Sequence, residues 1–83
     1  MYLAKVYITF KPTVNDPEGQ TIQGSLHQLG FNSVNQVRSG KYMEIRFDEA
    51  NGAAASAKMT SMCDQLLANP IMENYRFEIK EIS

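Results

Sequence analysis

Between Ala4 and Lys11 apolar and polar residues alternate, with Ala4, Val6, Ile8 and Phe10 on one side and Lys5, Tyr7, Thr9 and Lys11 on the other. A period of two belongs to an extended chain whose successive side chains point to opposite faces, so this stretch predicts a strand half buried on a sheet. The period returns in Met43, Ile45 and Phe47 against Tyr42, Glu44 and Arg46, and again in Tyr75, Phe77 and Ile79 against Arg76, Glu78 and Lys80. A shorter run, Val34 to Arg38, predicts a fourth strand, joined to the next by a tight Ser39-Gly40 connection that makes the pair a hairpin.

Two stretches follow the helical period instead. Asp16-Pro17 reads as a helix start, because the Asp16 carboxylate can accept the free amides of a first turn and Pro17 lacks an N–H where none is needed. Ile22, Leu26 and Leu29 then recur on one helix face; Gly30 supplies the left-handed residue of a Schellman cap, which would fold Phe31 back on Leu26. From about Asn51 to Ala68 the chain is rich in Ala, Met and Leu, and Ala55, Met59, Met62, Cys63 and Leu66 form a second apolar stripe. Pro70 disfavours helical geometry at Asn69 and so stops this helix near Ala68.

The order is β-α-β-β-α-β, which predicts an α+β, ferredoxin-like antiparallel sheet with two helices on one face, in a single domain spanning 1–83. The second face would show Lys5, Tyr7, Thr9, Glu44, Arg46, Arg76, Glu78 and Lys80, and is either solvated or a partner surface. A chain of 83 residues that is 43% apolar holds one core at most, so a partner or self-association would help to stabilise it.

Eight Lys and Arg stand against nine Asp and Glu with no basic block, which weakens nucleic-acid and membrane-surface readings. One cysteine, Cys63, and one histidine, His27, exclude an internal disulfide framework and the usual Cys/His zinc sites. No run has the ~18 to 20 apolar residues of a membrane span, and the first residues begin a strand pattern instead of a signal peptide; a cytoplasmic location is expected. The inventory of one imidazole, one thiol and no glycine-rich phosphate loop favours binding or scaffolding over catalysis.

Four segments together resemble the PurS family, the small subunits of phosphoribosylformylglycinamidine synthase. They are Lys11 to Gly19 (KPTVNDPEG), Leu26 to Phe31 (LHQLGF), Val37 to Tyr42 (VRSGKY), and Cys63 to Pro70 (CDQLLANP) followed by Glu73 and Tyr75. The resemblance covers essentially the whole chain; the departure is Asn51 to Ala57 (NGAAASA), where relatives are usually more acidic. It implies a part in the purine-pathway step in which formylglycinamide ribonucleotide, glutamine and ATP give formylglycinamidine ribonucleotide, glutamate, ADP and phosphate. It further implies that this chain is not itself catalytic. It would bridge a glutaminase and a large synthetase subunit, assist ammonia transfer between them, and form a homodimer or dimer of dimers. No cofactor is expected on this chain, since ATP and magnesium are used by the synthetase.

The candidate contact residues each have a structural reading beside the functional one. Asp16, Pro17 and Gly19 serve first as a helix start, and a phosphate there would be repelled by Asp16 and Glu18. Arg38, Gly40, Lys41 and Tyr42 form either a solvated hairpin tip or a contact, with Arg38 and Lys41 the cations best placed to meet a phosphate or partner carboxylate. Asn69 and Pro70 are first a helix stop, and Tyr75 completes the candidate set. His27 reads as a surface or interface histidine and Cys63 as a buried, inert thiol. From fold alone, an ACT-type ligand-sensing module is the alternative. An RNA-recognition domain fails because Glu44 and Arg46 stand where stacking aromatics are needed.

Overall fold

The computed structural model describes residues 1–82. Its elements are β1 (Tyr2–Phe10), α1 (Pro17–Gln28), β2 (Gly40–Phe47), α2 (Gly52–Met62), which continues into a π-helical turn at Cys63–Leu67, and β3 (Glu73–Glu81). The strands form one antiparallel sheet in the order β2-β1-β3. The register sets Ala4 between Ile45 and Ile79 and Val6 between Met43 and Phe77, so the alternation of all three strands is in phase. Their apolar side chains meet α2, and Ala4, Val6, Ile8, Met59, Cys63 and Ala68 make a continuous buried core. Both ends of the barely amphipathic α2 are set by local chemistry: Asn51 Oδ1 accepts the Ala54 N–H at 2.9 Å, and Ala68 turns extended before Asn69 and Pro70.

The class, the antiparallel sheet and the two helices are those the sequence predicts, and three details differ. The run from Val34 to Arg38 is not a strand, so there is no Ser39-Gly40 hairpin; β2 leaves one edge of the sheet unpaired among the described residues. The run instead returns alongside α1, where side chains occupy its carbonyls: His27 Nε2 lies 2.8 Å from Val34 O, and Gln23 Nε2 donates to Asn35 O at 3.1 Å. Second, α1 does not lie on the sheet. Gly19 is its only buried residue, and the molecule is drawn out to 51 × 28 × 14 Å.

Third, Leu66 leaves the apolar stripe of α2 and is 83% exposed, while Leu67 packs on the core instead. The cause is the π turn, closed by the Ala68 N–H on Cys63 O at 3.0 Å, which adds one residue and rotates the stripe past Leu66.

Candidate partner-contact site

The residues singled out in the sequence fall into three places. At the first, Asp16 is almost wholly buried (1% exposed) and collects donors from two parts of the chain. Its Oδ1 accepts the Gly19 N–H at 3.0 Å, the helix cap that the sequence predicts, with Pro17 in the first turn. Its Oδ2 accepts the Ser39 N–H at 2.6 Å, and the Ser39 hydroxyl donates to the same carboxylate at 3.0 and 3.1 Å. Hydrogen bonds from the Gly19 and then the Ser39 amides hold the Asp16 carboxyl below its usual pKa, with Arg38 adding a smaller pull.

Arg38 closes the same junction from outside, where Nη2 donates to Lys11 O at 3.1 Å and Val14 O at 2.8 Å. This fork is therefore partly spent on carbonyls of its own chain, and it sits in a latch instead of at a hairpin tip. Gly19 faces the Val37 carbonyl so closely that any Cβ would collide with it. Ser39 and Gln23 are latch residues that sequence reasoning misses, since nothing in their spacing reveals a partner 23 or 12 positions away.

The second place lies where the loop after α2 meets the start of β3. Asn69 Oδ1 accepts the Ile71 and Met72 amides at 2.9 and 3.2 Å, while the Asn69 N–H donates to Glu73 Oε1 at 2.8 Å, so the turn around Pro70 is rigidly tied. Glu73 also meets Lys41 Nζ at 3.8 Å, bringing β2 to β3 across the end of β1. Beside it is an open cavity of about 270 Å³ lined by Lys11, Cys63, Asp64, Glu73, Asn74 and Tyr75 among others. Tyr75 donates to Asp64 Oδ1 at 2.9 Å, and that bond raises its pKa; burial raises that of Cys63, leaving it a neutral thiol. Asn69, Pro70, Lys41 and Tyr75 thus come together at one end of the sheet, with Gly40 opposite Thr9 beside them. Glu73, Lys11 and Asp64 join them without having been singled out as contacts, although all three belong to the segments that carry the family resemblance.

Tyr42 stands apart from both clusters, on the open face. Its ring lies 5.1 Å from that of Tyr7, over which Arg76 places its guanidinium carbon at 3.9 Å, and its hydroxyl donates to Glu44 Oε2 at 2.7 Å. The bond to Glu44 pushes the Tyr42 pKa up to about 12. Across this face Lys5 is flanked in register by Glu44 and Glu78 on the neighbouring strands. No group of three or more His, Cys, Asp or Glu side chains among the described residues is placed to hold a metal ion.

What the fold and these places define is a small α+β domain: a sheet with one covering helix, a latched arm, and a tied polar end. Residues 3–81 match the PurS family model, described as phosphoribosylformylglycinamidine (FGAM) synthase, and the chain belongs to that family. A PurS subunit of phosphoribosylformylglycinamidine synthase from Synechocystis sp. is 49% identical over 78 residues, covering 94% of this chain and 78% of the relative. The crystal structure of Methanocaldococcus jannaschii PurS, one of the subunits of formylglycinamide ribonucleotide amidotransferase, superposes with a TM-score of 0.89 at 40% identity over the whole of both chains. A chain in the structure of PurLQS from Thermotoga maritima gives a TM-score of 0.85 at 25% identity, covering 96% of this chain and 99% of that one.

Proposed function

We infer that this chain is the PurS subunit of a phosphoribosylformylglycinamidine synthase, and that its task is to hold a glutaminase and a synthetase subunit in fixed relation. The observation that carries this is the full-length likeness to a chain in the Thermotoga maritima PurLQS structure, together with the family match over residues 3–81. The chain supplies no reacting group in this reading. Glutamine is hydrolysed on one partner; the amide of formylglycinamide ribonucleotide is activated with ATP and magnesium on the other. Bridging shortens the path of ammonia between them, so that it arrives unprotonated instead of equilibrating with water. The subunit works as a homo-oligomer in the cytoplasm, and the tied end bearing Lys41, Asn69, Pro70 and Tyr75 is its partner contact.

Support for that contact is physical. The turn at Asn69 is fixed by three hydrogen bonds and Lys41 is largely exposed, so a partner carboxylate would meet a charge already in place. Reconstitution tests the reading: purified glutaminase and synthetase should show glutamine-dependent turnover only when this chain is added. Turnover with free ammonia should proceed without it. If glutamine-dependent turnover is the same with and without the chain, the bridging role is wrong.

A further inference from the structure

A backbone nitrogen that follows an asparagine can attack the side-chain carboxamide and close a five-membered imide. The attack needs close approach, which a Cβ on the following residue hinders and glycine does not. Of the asparagines in this chain, only Asn51 precedes a glycine. Asn69 precedes Pro70, whose nitrogen has no hydrogen to lose, Asn74 is held in β3 opposite Thr9, and Asn15 precedes the buried Asp16. Asn32 and Asn35 are exposed, but the side chains of Ser33 and Gln36 crowd the attack.

The structure leaves all three reacting groups of Asn51 and Gly52 available. The nucleophile, Gly52 N, opens α2, where an N–H has no acceptor within the helix, and none binds it from elsewhere among the described residues. Nothing lies within 4 Å of the place a Cβ on Gly52 would take. The electrophile, Asn51 Cγ, is polarised, because Oδ1 accepts the Ala54 N–H at 2.9 Å. That amide is already aimed at the oxygen on which negative charge develops during the attack, in the manner of an oxyanion hole. The leaving group, Nδ2, makes no hydrogen bond among the described residues, and both residues are exposed to water.

We propose that Asn51 is the deamidation site of this chain, and that the reaction resets the start of α2. Gly52 N bonds to Cγ and gives up its proton to solvent; the Cγ–Nδ2 bond breaks, and the nitrogen leaves as ammonia with a proton taken from water. Water then adds to either carbonyl of the imide. Cleavage at Cγ restores the ordinary chain with aspartate at position 51, whereas cleavage at the main-chain carbonyl leaves an isoaspartyl link running through Cγ. Either way one water is consumed, one ammonia is released, and one negative charge is added. The aspartate still caps, and it sets a negative charge against a helix whose first turn has no acidic residue. The isoaspartyl form lengthens the backbone by one carbon and withdraws the cap from Ala54, one residue before the buried Ala55. Ageing thus divides the population into two forms of opposite stability.

The test incubates the folded full chain at neutral pH and maps its peptides by mass spectrometry over time. The exchange of NH2 for OH should be confined to position 51, with ammonia released in equal amount and both aspartyl and isoaspartyl products present. Gly52→Ala should slow it by about fivefold or more, the worth of glycine's conformational freedom. Asn51→Asp, which stands for the first product, should raise the melting midpoint by about 2 °C or more. Unfolding in urea should not speed the reaction, since the Ala54 amide that activates the carboxamide is then lost. Faster reaction in urea means that the fold shields Asn51, and overturns the proposal. So does an unmodified chain, reaction spread equally over Asn32 and Asn35, an unchanged rate in Gly52→Ala, or a lowered midpoint in Asn51→Asp.

Discussion

In the sheet and α2 cohesion is apolar, with Val6, Ile8, Met59 and Cys63 at most 1% exposed. From Lys11 to Ser39 it is polar: a carboxylate, a guanidinium, an amide and an imidazole each bind backbone of another part of the arm, and among the described residues Asp16 is the only buried charged side chain. The difference lies in what each region can tolerate. An apolar core is sensitive to volume and indifferent to acid, whereas a latch of directional bonds is sensitive to one atom's identity and to protonation. It also leaves the arm's apolar side chains free to serve elsewhere.

Deleting core volume should have the largest effect. Met59→Ala removes a fully buried side chain beneath Val6 and Ile8, and should lower stability by about 2–5 kcal/mol in urea titration. In so small a domain that is a large share of the total; loss of the arm alone, with the sheet intact, would contradict the division drawn above. Gly19→Ala comes next, because the new methyl group must displace the Val37 carbonyl, for about 1–3 kcal/mol. Its signature should be faster amide exchange in residues 17–39 with strand exchange unchanged.

Asp16→Asn keeps the shape but not the charge, and should loosen the arm less than Gly19→Ala. It should also abolish an acid transition. Because the folded pKa of Asp16 is lowered from 3.8, its contribution is complete above that value and is lost as pH falls through the lower folded value. Chemical shifts of the Gly19 and Ser39 amides followed from pH 6 to the acid limit would show this, and no arm-specific change in the wild type would refute it. The smallest effect belongs to Tyr42→Phe on the exposed face. Tyr42 titrates near 12 against an ordinary 10, so its bond to Glu44 contributes below pH 10 and is lost between 10 and about 12. Difference absorbance of the phenolate should lose its highest-pH component in the variant.

The comparison also explains what could be read from residue order. All three strands, the Asp16 cap and the Schellman closure at Gly30 (φ 98°), with Phe31 N–H on Leu26 O at 3.0 Å, were legible because each rests on local periodicity or one special residue. Val34 to Arg38 misled because an extended segment stitched to a helix and a short strand share one local geometry. The π turn was invisible for a similar reason: an added residue alters no pattern until the helix is in contact with a core. Of the site, Asp16 and Asn69 could be found as caps and stops. The joining of Lys41 to Glu73, or Tyr75 to Asp64, depends on register that only the paired sheet sets.

That register has a bearing on the birth of the molecule. The central strand is made first, and one of its two neighbours last: Tyr2 pairs with Phe47 on one side and Glu81 on the other. The three-stranded sheet cannot close until β3 is available to pair. During elongation β1 can acquire only β2, leaving Val6 and Ile8 half covered. Such long-range pairing slows folding and prolongs exposure of apolar strand surface. Production of the chain in cells should therefore fall when chaperones are depleted, which a depletion experiment would check.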